Sequence, residues 1–553
     1  MALIQFDRAH AIQAELLLVK AELFSVTATT FPALPSRAKS LLHYAPGLVA
    51  LVIVIADSAQ MSDPDLWGHI RFGQAVLAEH HLITRDPYSY TAFGHQWSNH
   101  EWLTEVVMAA AYDTLGVIGL KLWKLACVTA TMLLVATAMA ETGATPTVQL
   151  NLFVLAAIAL VPQMEFRPQL FTFALLAAML AILARDNYRR AAPLWLLIPL
   201  MALWANLHGG FIMGIAVLAL YAATATIEDF VSGAGLRHGL RLGALAFAAF
   251  VATMVTPYGL ETWSPVLHAL RNPMTRIAVT DWQPLGFALM RQWHASHAGI
   301  IYFLCGIAMI VAFVVTFALA PRGGDLPLVA IAGVMSVAAI VAVRNLPLAI
   351  IACALPVARH WSLLIDRRRE RAQAAGAKVE PMRDRSATSP WIALAVAMLL
   401  VAYAGLLSPR LRNDKPYPAG AVAFMQKHNL HGNILGDFGW GEYLIWHTAP
   451  ASKVFIDGRY DTVYPYAIID QYIGFYFDLS GAPAMLTAYP HDLVLIPPTS
   501  GAYTLMAGRT GWKLIYRDTV SALFVRKTSP AAILAAIDDA PAPNRAAKVS
   551  YFP

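Results

Sequence analysis

Charge is the scarcest property of this sequence. Only 13% of its 553 residues are Asp, Glu, Lys or Arg, against about a quarter in soluble globular proteins, which excludes a soluble fold. Cysteine is nearly as scarce. Cys127, Cys305 and Cys353 are the three; all lie inside hydrophobic runs and none has CxxC or metal-ligand spacing, which argues against a disulfide framework or a zinc site. The histidines show no HxxxH-type pairing on one helix, and the adjacent His80 and His81 are poorly placed to chelate one ion. A signal-peptide layout is also missing, because Glu15 and Lys20 interrupt the only early apolar stretch. Residues 10–25 read instead as a cytoplasmic or interfacial amphipathic helix.

What fills the chain is apolar: 58% of it is hydrophobic. A spanning helix needs about 20 apolar residues, somewhat fewer when short. Candidates are 43–61, 102–117, 119–139, 147–162, 169–184, 193–206, 211–228, 243–256, 298–319, 326–343, 346–362 and 390–407. The formal net charge of +6 fits Lys and Arg in cytoplasmic loops better than nucleic-acid binding. Arg185/Arg189/Arg190, Arg237/Arg241 and the run Arg367-Arg368-Arg369 with Arg371 and Lys378 are expected inside. That places Arg167, Asn206–His208, the loop 257–297 and Arg344-Asn345 outside. Counting from the N-terminus, with Arg8, Lys20, Arg37 and Lys39 inside, the Asp63 loop is also outside. Both counts hold only if 102–117 and 119–139 together cross once, so one of them is expected to be half-embedded or re-entrant, or the segmentation is off by one helix there.

Past residue 408 the polarity becomes mixed. Short β-like runs (433–436, 453–456, 492–496, 513–516, 522–525) alternate with helical patterns near 418–429, 440–447 and 464–474, as in a small α/β domain. One crossing after the basic loop places it outside the membrane. The expected organisation is an N-terminal segment 1–42, a transmembrane domain 43–407 and an extracytoplasmic α/β domain 408–553.

The chemistry gathers on the outer face. Ser62-Asp63-Pro64-Asp65-Leu66-Trp67-Gly68-His69 stands where the first spanning helix leaves the bilayer, a depth at which ionisable groups are costly unless they face a polar cavity. The same loop carries Arg71, Asp86, His95, His100 and Glu101. Arg167 begins one helix, Asn206 and His208 end another, Asp281 lies in the long outer loop and Arg344 at a further helix end. A carboxylate can act as general base towards a hydroxyl, and a guanidinium matches phosphate bidentately. The plainer alternatives are a helix cap for Asp63/Asp65, snorkelling for Arg167 and Arg344, a hydrogen-bonded helix break at Asn206–His208 and turn chemistry for Asp86. An Asp-x-Asp pair could hold a divalent cation through oxygen ligands, though such pairs are common by chance.

Five motifs occur in order: Asp63–Trp67, Asp86–Thr91, His100–Leu103, Asn206–Gly209 and Asp457–Asp461. Together with a carboxylate pair past the first helix, many short helices and the C-terminal α/β domain, they resemble bacterial members of the GT-C superfamily of integral membrane glycosyltransferases over about residues 43–530. The resemblance implies a mainly α fold: a polytopic bundle of about 11–12 hydrophobic segments with a small extracytoplasmic domain, in the bacterial inner membrane. It implies transfer of a hexosyl or pentosyl unit from a polyprenyl-phosphate donor to a glycan, lipid or protein acceptor, with inversion and with membrane lipid as a partner. Carried over by position, the base is Asp63 or Asp65, with Asp63 preferred as nearer the helix end, and Arg344 or Arg167 holds the donor phosphate. His69, Asp86, His100, Glu101, Asn206 and His208 are the further substrate-binding candidates. One departure is Gly68, which stands where a second aromatic would be expected. The competing readings are a transporter or flippase of lipid-linked envelope intermediates, and a non-catalytic assembly protein of the cell envelope.

Overall fold

The computed structural model describes residues 61–160, 163–271, 280–295, 297–320, 324–376, 410–413, 416–478, 482–534, 537–538 and 551–552. The expected segment 1–42 and the spans 43–61 (save its last residue) and 390–407 lie outside the described residues. The other ten hydrophobic segments are all helices, because a segment in lipid must satisfy its own backbone polar groups. The helices up to residue 376 are α1 (Leu66–Glu79), α2 (Trp102–Leu115), α3 (Val117–Glu141), α4 (Pro146–Leu160), α5 (Gln169–Arg189), α6 (Leu197–Leu207), α7 (Phe211–Val231) and α8 (Arg237–Ala252), then α9 (Trp263–Arg271) and α10 (Leu285–Ala295) in the long loop, then α11 (His297–Leu319), α12 (Leu326–Val341) and α13 (Leu346–Ala374); α1, α9 and α10 are the three that were not among those segments. Five stretches are long and apolar enough to cross a membrane: Val117–Glu141, Gln169–Arg189, Phe211–Val231, Ile300–Leu319 and Val343–Ala374. α13 is buried on nearly all sides from Leu346 to Ala358, whereas α11 turns Ile301, Leu304, Val311, Val314 and Phe317 outward, the face of a helix solvated by lipid.

One end of the bundle is a polar seam. Arg189 meets Glu141 at 2.7 Å, Arg190 meets Asp229 at 2.9 Å, Tyr188 donates to Asp325 and Arg359 to the Thr142 carbonyl. These contacts gather the C-terminal ends of α3, α5 and α7 and the N-terminal end of α12 against the middle of α13. The parity conflict falls on α2. Its 14 residues rise only about 21 Å, short of a hydrocarbon core of about 30 Å. Tyr112 near its C-terminus packs on Trp446 and Phe552 of the C-terminal domain, and Glu101 before its N-terminus lines a cavity shared with the same domain. Both ends of α2 thus face the same domain, and of the two helices only α3 is long and apolar enough to cross a membrane. On this arrangement Arg368→Cys and Tyr466→Cys should be labelled from opposite sides of a sealed membrane by an impermeant maleimide, and labelling of both from one side would refute it.

In the C-terminal domain the alternating runs fold into a six-stranded sheet, order β4-β3-β5-β7-β6-β8, with β3 (Asn433–Gly436) parallel to β4 (Lys453–Val454) and β5 (Leu493–Ile496), β7 (Ala522–Arg526) antiparallel between β5 and β6 (Trp512–Arg517), and β8 (Ile537–Asp538) parallel to β6 at the edge. Helices Ala419–Lys427, Gly441–Thr448 and Tyr466–Tyr476 match the expected helical patterns. The pairing of this domain with the outer loop was not expected. β1 (Met61–Ser62) lies parallel to β2 (Leu411–Asn413), which pairs with β9 (Tyr551–Phe552). Tyr90 N–H donates to the Val454 carbonyl, and Val454 N–H to that of Tyr88. Trp67, fully buried, packs its ring 4.5 Å from Tyr417 and 5.1 Å from Phe552. Loop and domain therefore share one core.

Candidate active site

A cavity of about 440 Å³ opens where the outer ends of α5, α7 and α13 meet the outer loop and the C-terminal domain. The Asp-Pro-Asp motif builds one wall. Asp63 Oδ1 accepts the Asp65 N–H at 2.8 Å, an Asx turn that Pro64 stiffens, and α1 starts at once, with His69 N–H bonded to the Asp65 carbonyl. The turn aims the two carboxylates differently. The Asp63 side chain is 1% exposed, whereas that of Asp65 is 34% exposed and lines the cavity.

Arg167, just before α5, joins this wall to the long loop. Its guanidinium lies 2.6 Å from Asp63, 3.2 Å from Asp65, 3.1 Å from Asp281 and 3.5 Å from Glu165. Arg167 is thus committed to carboxylates. Arg344 is placed otherwise. It sits in the turn between α12 and α13, whose Val343 N–H donates to the Gln283 carbonyl, and its guanidinium stacks 4.3 Å from the Trp282 ring. Stacking leaves its N–H donors available. Among the described residues no carboxylate lies within 4.0 Å of it.

The remaining wall carries imidazoles and carboxylates. His208 Nε2 is 3.4 Å from Glu101, and its Nδ1 accepts the Gly210 N–H. Burial, helped by His100 and Arg344, pushes His208 down to about 4 against the pull of Glu101, so it is neutral at pH 7. Glu101 is held below the usual carboxylate range, the surrounding histidines and Arg344 outweighing its burial. Burial also pulls on His69, but its hydrogen bond to Glu105 (3.2 Å) and the fields of Glu101, Glu105 and Asp65 hold it at about 9. His69, Glu101 and Glu105 offer ligand atoms within 4.8 Å of one another. A cation there would first have to displace the His69 proton, since imidazolium is no ligand. The Asp63/Asp65 pair already surrounds a guanidinium, which is where an ion shared by the two would sit.

Asp65, His69, His100, Glu101, Arg167, His208 and Arg344 are thus brought together. Asp63 stands behind Arg167, outside the lining. Asp86 and Asn206 do not reach the cavity, because both spend their polar atoms on scaffold contacts. Asp86 accepts from the Tyr88 and Ser89 amides and from Arg459 at 2.7 Å. Asn206 accepts from Trp102 Nε1 and donates to the Val255 carbonyl. The cavity also takes in Glu105, Thr172, Trp282, Glu442, Gly458 and Tyr460. The only sequence signals for the last three were the Asp457–Asp461 motif and a lone Glu in the apolar run Trp440–Trp446. Gly68 is explained here too: a methyl at its Cα would stand 2.1 Å from Glu442 Oε2.

No family model and no curated protein matches the chain. Solved structures do. The oligosaccharyltransferase AglB from Archaeoglobus fulgidus, in complex with an inhibitory peptide and a dolichol-phosphate, superposes with a TM-score of 0.50 at 13% identity, over 82% of this chain and 69% of that one. ArnT from Cupriavidus metallidurans gives 0.45 at 12% identity over 88% of this chain and 98% of its own. The arabinofuranosyltransferase AftD from Mycobacteria gives 0.46 at 13% over 87% and 41%. With its helical bundle and its C-terminal α/β domain, the chain shares its fold with the AglB oligosaccharyltransferase.

Proposed function

We propose that the protein is a membrane glycosyltransferase that moves a sugar from a polyprenyl-phosphate donor to a hydroxyl-bearing acceptor on the extracytoplasmic face. The observation that carries this reading is the polarity of the cavity. Arg167 reaches from Asp65 to Asp281, and the next residue, Trp282, carries Arg344. A carboxylate, and a guanidinium with no carboxylate within 4.0 Å among the described residues, therefore stand at the two ends of one bridge. Asp65 accepts the acceptor's proton as its oxygen attacks the anomeric carbon. Arg344 holds the phosphate and takes up the charge that develops as the sugar departs. Attack from one end and departure at the other invert the anomeric centre. Arg167 orients Asp65 and keeps it ionised. A divalent cation, if the enzyme uses one, would enter at His69, Glu101 and Glu105.

A strain lacking the protein should accumulate a lipid-linked sugar in its membrane extract, and an unchanged profile would reject the reading. Arg344→Ala should weaken donor binding by about one to two orders of magnitude, since a hydrogen bond to a charged group contributes roughly 1.5–3 kcal/mol. Equilibrium binding of the polyprenyl-phosphate sugar measures this, and wild-type affinity would remove Arg344 from the donor site.

A further inference from the structure

One carboxyl on the cavity wall has no part in the chemistry above. Glu442, at the start of the Gly441–Thr448 helix, is 5% exposed, and among the described residues no Lys, Arg or His nitrogen lies within 4.0 Å of its oxygens. Its Oε2 accepts the Gly68 N–H at 3.1 Å, at the open N-terminus of α1. Its Oε1 faces Gly458, where an added methyl would stand 2.6 Å from it and 2.9 Å from Asp65 Oδ1. Two carboxyls, one from the outer loop and one from the C-terminal domain, thus approach across a glycine whose missing side chain makes the room.

Two carboxyls this close in a poorly solvated wall do not both ionise; one keeps a proton and the other becomes the stronger acid. Asp65 has Arg167 at 3.2 Å and partial access to water. Glu442 has neither, and of the other groups that face it, Asp457 and Glu105 add negative field while Arg459 opposes them. Burial and these carboxylates hold Glu442 well above the usual carboxylate range.

We propose that Asp65 and Glu442 form a carboxyl pair split between two domains, in which Glu442 remains the neutral acid so that Asp65 stays the ionised base. This rests on the transferase reading for its use, though not for its chemistry. In the step, the acceptor O–H bond breaks and its proton passes to Asp65. The freed electron pair forms the bond to the anomeric carbon, and the bond from that carbon to the phosphate oxygen breaks with its electrons leaving on the phosphate. Glu442 keeps its own proton throughout and acts through Asp65. It is a positioning residue.

The test is infrared spectroscopy of the full chain in nanodiscs over a pH series. Wild type should show a protonated-carboxyl carbonyl band at neutral pH that is absent from Glu442→Gln. In Asp65→Asn, where the like charge is gone, that band should disappear at lower pH than in wild type. Where transfer is assayed, wild-type activity should fall at alkaline pH as Glu442 ionises beside Asp65; Glu442→Gln should abolish that fall, and Glu442→Ala should depress turnover across the range. An unchanged band in Glu442→Gln, or an unchanged band titration in Asp65→Asn, overturns the pair. The infrared result needs no substrate, so an absence of transfer refutes the transferase reading alone.

Discussion

Asp65→Asn is expected to slow sugar transfer by about 10²–10⁴, the usual worth of a positioned general base, while leaving donor affinity nearly intact. The amide keeps the shape and one acceptor oxygen but cannot take the acceptor's proton. Asp63→Asn should differ. Asp63 is buried against Arg167 at 2.6 Å, so its loss leaves that guanidinium less firmly placed and reduces turnover indirectly, together with stability. Single-turnover rates with donor pre-bound, paired with thermal melting, separate the two variants. Full activity in Asp65→Asn with a clean catalytic loss in Asp63→Asn would return the base to Asp63, the position that nearness to the helix end favours.

Arg459→Ala is expected to be the most damaging single change to stability. Arg459 donates to Asp457 at 2.7 Å and to Asp86 at 2.7 Å, and Phe72, Tyr88 and Trp97 surround its guanidinium at 4.8–5.2 Å. Both carboxylates are buried, so truncation leaves two uncompensated charges, and breaking a buried pair costs about 3–5 kcal/mol. Lys should not rescue, because one ammonium cannot reproduce the fork on Asp457 and the third bond to Asp86 together. Limited proteolysis should then cut the outer loop and the C-terminal domain before the bundle. Wild-type melting and proteolysis would show the cluster to be dispensable.

The helices were legible because lipid imposes one rule on every spanning segment: a long apolar run such as 298–319 has no other way to satisfy its backbone. α2 misled for the same reason. Its apolar content reads as a span, while its Glu105 and Tyr112 are used against α1 and the C-terminal domain, and only tertiary contacts separate the two uses. In the site, charges at helix ends could be read from hydropathy alone, which located Arg344, His208 and the Asp63/Asp65 loop. Which carboxylate of Asp-Pro-Asp faces the cavity is decided by an Asx turn and by Arg167, 102 residues downstream of Asp65, and no local pattern carries that. Asp86 shows the opposite failure. A conspicuous motif, Asp-Pro-Tyr-Ser-Tyr-Thr, proved to be an anchor for Arg459. Glu442 was hidden in an apolar run because its partner, Gly68 N–H, is 374 residues away.

The pairing of β1 with β2 and β9, and the seat of Trp67 on Phe552, carry a consequence for biosynthesis. Helices with local contacts form as the chain is inserted, but contacts of very high sequence separation must wait. The wall that bears Asp65 meets its last neighbours among the described residues only when residues 551–552 have been synthesised and paired with β2. A chain arrested earlier can hold a complete bundle and still lack a formed cavity. Synthesis order thus delays formation of the cavity until the chain is nearly complete.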